Sequence, residues 1–153
     1  MKKTVYLFVL SFLMTMLFSC REETSNAENF SVIGTWKPVK EVVTQVDLQN
    51  TAVSELYTLD DCQQGTRYTF NADFSGRLVK KSKRHDTCVE DFDTPFNYQL
   101  SGDGKFSMQS IYTDHQEGDI AFHNANVMNL KIVTQNEETK VITTIVTTLH
   151  RVE

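Results

Sequence analysis

A chain of 153 residues carrying a net charge of −5, with 20 acidic against 15 basic residues, holds one domain of ordinary size. The acidic balance argues against nucleic acid as a partner and against polybasic attachment to anionic lipid. Only two prolines occur, Pro38 and Pro95, neither in a Pro-rich stretch, so no second linker divides the chain.

Met1-Lys2-Lys3 precedes an apolar run from Val5 to Phe18, which ends in Ser19-Cys20. A basic start, an apolar centre and a small residue before the cut predict a signal peptide over residues 1–19, helical in the precursor. The run is short of the roughly 20 apolar residues that a membrane-spanning helix needs. Leu17-Phe18-Ser19-Cys20 resembles the lipobox of bacterial lipoproteins, although Phe18 is bulkier than the usual residue there. The resemblance implies that Cys20 receives a diacylglyceryl group, becomes the first mature residue and is acylated again, a palmitate-type anchor. At about 0.8 kcal/mol per buried methylene, several acyl chains hold a protein stably in a bilayer. The other reading is ordinary cleavage with Cys20 left as a free or disulfide-bonded thiol. Loss of Lys2 and Lys3 leaves 13 basic against 20 acidic residues, a mature charge of −7.

From Arg21 to Asn29 the chain is polar and without apolar period, so residues 20–29 read as the lipidated cysteine and a flexible tether. Arg21-Glu22-Glu23 resembles the signal that sends lipoproteins of the Bacteroidota to the outer face of the outer membrane. A solvated linker facing the periplasm is the alternative. The expected location is the cell envelope.

Residues 30–153 form the folded domain, dominated by period-two alternation of Thr, Val, Ile, Phe and Tyr between turn residues. Gly34 to Val43 is the first strand, and Pro38 within it suits an edge or a bulge. Val46 to Leu59 stays open between a strand and a helical stripe of Leu48, Ala52, Leu56 and Leu59. Thr66–Asn71 and Arg77–Lys83 read as a hairpin across residues 72–76. The acidic stretch Asp86 to Asp93 reads as a solvated loop. Around Ser101-Gly102-Asp103-Gly104, Phe96, Tyr98 and Leu100 answer Phe106, Met108, Ser110 and Tyr112 in a second hairpin. Asp119–Phe122 is a short strand, and Met128, Leu130 and Ile132 mark another. Glu137-Glu138-Thr139 turns into a last strand, Lys140 to Val152, whose two faces differ little. About eight strands in up-and-down order predict an all-β antiparallel barrel, which removes exposed edges. A β-sandwich is the alternative.

Beyond Cys20, only Cys62 and Cys88 remain, and export places them where a pair is usually bridged. Position 75, midway between them, falls in the first hairpin turn, so extended arms are expected to bring them opposite each other. The neighbouring acids, Asp60, Asp61 and the run with Glu90 and Asp91, read as a solvated loop rather than a Ca²⁺ site. His85, His115, His123 and His150 lie in separate segments without metal spacing. No catalytic motif is present, and the expectation is a protein that is not an enzyme and has no cofactor or metal.

Gly34-Thr35-Trp36 matches the Gly-x-Trp motif of lipocalins, and Arg151 sits where that family places an arginine stacked over the tryptophan. With Cys62, the strand Thr66 to Phe70, Gly76 and Cys88, the chain resembles the lipocalin-like lipoproteins of the Bacteroidota from Ile33 to Val152. The resemblance implies a barrel with Gly34, Trp36 and Arg151 at its base and an interior edged by Tyr68, Phe70, Phe96, Tyr98, Phe106, Met108 and Met128. Those side chains either line a ligand or simply fill the barrel, since an eight-stranded barrel has room for one of the two. The implied function is a membrane-anchored envelope lipoprotein binding a small apolar ligand. The alternative is an interaction or inhibitor protein that docks an envelope partner through its loops.

Overall fold

The structure, a computed structural model, describes residues 30–111 and 115–153. The expected signal peptide, Cys20, the tether and Tyr112 lie outside the described residues.

Nine strands follow in chain order: β1 Gly34–Val46, β2 Ala52–Thr58, β3 Arg67–Phe70, β4 Ser75–Arg84, β5 Thr87–Leu100, β6 Lys105–Gln109, β7 Gln116–Asn124, β8 Val127–Gln135 and β9 Ile142–Arg151. All neighbours are antiparallel, and β9 returns to pair with β1 from Trp36–Arg151 to Val46–Ile142. That pairing closes a barrel and rules out the sandwich. β2 and β3 pair with non-overlapping parts of β1, at Lys40–Val46 and Gly34–Trp36. They therefore share one place in the wall, and nine segments make eight positions. A 3-10 turn, Gln63–Gly65, separates the two.

Pro38 lies at an irregularity: the β1–β9 register shifts between Pro38 and Lys40. A proline has no N–H to give a ladder, and a bulge removes the demand. The ambiguous segment 46–59 is a hairpin arm, not a helix. Asp47 Oδ1 accepts from the backbone N–H of Gln49 at 2.9 Å and of Thr51 at 2.8 Å, fixing the turn. Every residue of β2 is exposed, so no core imposes a pattern, and its apolar spacing was uninformative.

Past Asp86, which lies in the β4–β5 turn, the acidic stretch is strand rather than loop, because β5 begins at Thr87 and pairs with β4 as far as Arg84. Its carboxylates are held by cations: Asp93 on Arg77 at 2.5 Å, Asp91 on Arg84 at 2.5 Å and Glu90 on Lys81 at 3.9 Å. Asp60 faces Lys83 at 3.7 Å. Among the described residues, no three His, Cys, Asp or Glu side chains assemble as metal ligands. Cys62 and Cys88 are bonded, with Cα atoms 5.5 Å apart. The expected reason needs correction. Cys88 is carried back beside Lys83 by the β4–β5 turn, and the segment before β3 lies along β4, where Lys81 N–H donates to Thr66 Oγ1 at 3.0 Å. Two hairpins, not one, bring the sulfurs together.

The core runs through Val32, Trp36, Phe70, Phe96, Tyr98, Phe106, Met108, Ile120, Met128, Leu130 and Leu149. Phe70 anchors it, meeting Phe96, Tyr98 and Phe106 edge-on at 5.2–6.1 Å between centroids. Gly76 makes room for this cluster: a Cβ there would stand 2.3 Å from the Phe96 ring. On the outside, Asp119 bridges Lys105 at 2.6 Å and Lys131 at 3.0 Å across β6, β7 and β8.

Candidate functional site

The base of the barrel is locked. Trp36 is fully buried, and its indole N–H donates to the Val32 carbonyl at 2.7 Å. The Arg151 guanidinium carbon stands 4.3 Å from the Trp36 ring centroid. Its three nitrogens donate to the carbonyls of Ala125, Ile33 and Ser31 at 2.9, 2.8 and 2.7 Å. One cation thus ties the segment before β1, the β7–β8 turn and β9 to one ring. Gly34 is required beside it. Its φ is +133°, and a Cβ would meet Arg151 Nη1 at 2.5 Å. Gly34, Trp36 and Arg151 meet as one unit.

Burial then falls along six of the strands away from this base. On the inner face of β9, Leu149 and Thr147 are buried while Ile145 and Thr143 are half-buried. On β8 the sequence is Met128 and Leu130 buried, Ile132 half-buried and Thr134 exposed. On β5, Tyr98, Phe96 and Thr94 are buried and Phe92 is half-buried. Phe70 gives way to half-buried Tyr68 on β3, and β1 passes from Trp36 and Pro38 to half-buried Glu41 and Val43. β4 passes from buried Gly76 to half-buried Leu78. Six strands agree, so the barrel is filled at the base and slackens into a cup towards the opposite end.

This relocates the expected lining. Phe70, Phe96, Phe106 and Met128 are 0–3% exposed and form the floor. Tyr98 and Met108 are also buried in the core, and their edges border a separate groove of about 570 Å³ with Phe74, Leu100 and His115. The Tyr98 hydroxyl is committed to the Asn71 carbonyl at 2.7 Å. Only Tyr68 of the seven reaches the cup. Rings are the most favourable groups to bury, so the base claims them first.

Sequence reasoning missed the polar members of the cup wall. Thr147 Oγ1 donates to Glu41 Oε1 at 3.3 Å. Tyr68 faces Leu78, which faces Thr94, one inner-face row across β3, β4 and β5. Burial, and to a lesser degree the Glu41 charge, push the Tyr68 hydroxyl well above the usual phenol range. Thr94 Oγ1 is buried with no hydrogen-bond partner among the described residues. Their signal was faint: Glu41 and Thr94 sit at inner positions only once the bulge after Pro38 and the true length of β5 are known.

A family model described as a lipocalin-like domain matches residues 32–148. No curated protein matches the sequence. Among solved structures, the chain is similar to a deswapped triple mutant of bovine odorant binding protein, at 10% identity and a TM-score of 0.46, covering 78% of this chain and 72% of that one. Aphrodisin, a sex pheromone from female hamster, gives 7% identity and a TM-score of 0.44 over 80% and 76%. An S-type phycobiliprotein lyase from Guillardia theta gives 10% and 0.44 over 80% and 89%.

Proposed function

Because this chain belongs to the family of lipocalin-like domains, we propose that it is a lipid-anchored binding protein of the cell envelope, holding one small hydrophobic molecule in the open half of its barrel. The carrying observation is the gradient of burial along six strands, which leaves Leu78, Phe92, Ile132 and Ile145 half-buried around a common interior. Half-buried apolar walls on a rigid floor suit an apolar guest, since covering them removes about 25 cal/mol for each Å². The anchor is the acylated Cys20, supported by the tetrapeptide Leu17-Phe18-Ser19-Cys20.

Trp36 is the single tryptophan of the chain, so energy transfer from it to a lipophilic dye reports uptake. The dye is expected to bind once per chain, and Ile145→Trp, which fills the cup, is expected to exclude it without loss of fold, read there by exciting the dye directly because the variant carries a second tryptophan. Dye binding untouched by that substitution would contradict the reading. Labelled palmitate is expected in the intact protein and absent from Cys20→Ala.

A second reading, docking of an envelope protein, is favoured by the β1–β2 ribbon, where Leu48, Val53, Leu56 and Tyr57 are 46–69% exposed. Recovery of one specific partner that is lost on Leu56→Ser would support it.

A further inference from the structure

The cup wall carries polar groups that an apolar guest alone leaves unused. Thr94 is 1% exposed, lies on the inner face next to Phe96 where the floor meets the cup, and its hydroxyl has no partner among the described residues. Beside it in the same row, past Leu78, stands Tyr68. Glu41 contributes a carboxylate whose recorded partner is Thr147, which leaves acceptor positions open, because a carboxylate offers about four. Hydroxyls serve as donor or acceptor, so Tyr68 and Thr94 do not choose the sign of a guest. Glu41 does, because it only accepts and is negative. Towards the rim, the Asp91 charge is offset by Arg84, and Ser82 donates to the same carboxylate.

Resting on the carrier reading above, we propose that the cup selects amphiphiles whose polar group donates hydrogen bonds, a hydroxyl or an amine. That group sits against Glu41, Tyr68 and Thr94, and the hydrocarbon lies along Leu78, Ile132 and Ile145. Carboxylates are disfavoured. A ligand carboxylate beside Glu41 places like charges together in a half-buried site, and like-charge juxtaposition is what most strongly rejects a wrong guest. A donor instead meets an acceptor that has spare capacity and relieves the buried Thr94 hydroxyl of its missing partner.

The test uses three twelve-carbon probes, dodecanol below its solubility limit and dodecylamine and dodecanoate below their micellar concentrations. Each competes with the dye on a chain beginning at Arg21. The closed ladder, the base lock, the core and the disulfide all lie within residues 30–153, so that chain retains them. At neutral pH dodecanol and dodecylamine are expected to displace the dye, with dodecanoate weaker by about tenfold or more, equivalent to about 1.4 kcal/mol. Glu41→Gln is expected to bring dodecanoate close to dodecanol and to weaken dodecylamine. The nearly isosteric Thr94→Val is expected to weaken dodecanol by roughly threefold to tenfold, the range of one hydrogen bond. Dodecanoate binding as well as dodecanol to the unaltered chain overturns this inference while dye uptake leaves the carrier reading standing. Failure of the dye itself removes the carrier reading.

Discussion

The Arg151 guanidinium and the Trp36 indole, 4.3 Å apart, join the last strand to the first at the closed end of the barrel. The stack is the smaller part of the arrangement. Three carbonyls from two other segments also depend on the same cation. Arg151→Ala is expected to lower stability by about 2–4 kcal/mol, combining a cation–π contact with charged hydrogen bonds. Arg151→Lys is expected to recover less than half, because an ammonium cannot reproduce the planar fork. Urea unfolding measures both.

Gly34 and Arg151 are coupled. Gly34→Ala puts a methyl into the guanidinium and demands a φ that favours glycine, at an expected cost of about 2 kcal/mol or more. In the Arg151→Ala background the collision is gone and only the backbone strain remains. A double-mutant cycle is therefore expected to show a smaller effect of Gly34→Ala there than alone.

These two residues show what the sequence could carry. Gly34, Trp36 and Arg151 were legible because a ring, a cation and a missing side chain leave fixed letters at fixed places. Strands with an exposed and a buried face, such as Phe96 to Leu100, were legible for the same reason. β2 was not, because a ribbon exposed on every residue has no pattern to read. Nor was β5 before Thr94, where charges that pair across to β4 look like a solvated loop. The cup itself was hidden: whether Phe70 or Tyr68 faces a guest depends on how far up the barrel each sits, a property of strand stagger, not of residue type.

The Cys62–Cys88 bond closes a span of 26 residues and ties the segment before β3 to the β4–β5 hairpin. Replacing both cysteines by serine is expected to cost about 2–4 kcal/mol. Calorimetry of the two forms measures it, and equal melting temperatures would contradict a structural role.

Thr94 is expected to behave oppositely to a normal buried residue. Its hydroxyl is buried without a partner among the described residues, and such a group costs roughly 1–3 kcal/mol. Thr94→Val is therefore expected to raise the unfolding free energy of the ligand-free chain by about 1 kcal/mol, while weakening dodecanol. A loss of stability would mean that the hydroxyl is satisfied in solution.

Tyr68 gives a dependence on pH. Burial keeps its hydroxyl protonated in the native chain beyond the ordinary phenol value of 10.0, where the unfolded chain releases its proton. The native state then holds more protons, and stability falls as pH rises above that value. Tyr98 is shifted in the same direction, so Tyr68→Phe is expected to make the alkaline decline shallower without abolishing it. Denaturant titrations from pH 8 to 11 measure the slope.

Methyl resonances of the barrel interior, followed while dodecanol is added, test the open cup above a filled base most directly. The δ1 methyls of Ile132 and Ile145 are expected to move and saturate at one molecule per chain, while the Met128 methyl, sealed in the floor, stays in place. Motionless isoleucines, or changes confined to Met108 and Leu100 beside the Phe74 groove, would contradict it.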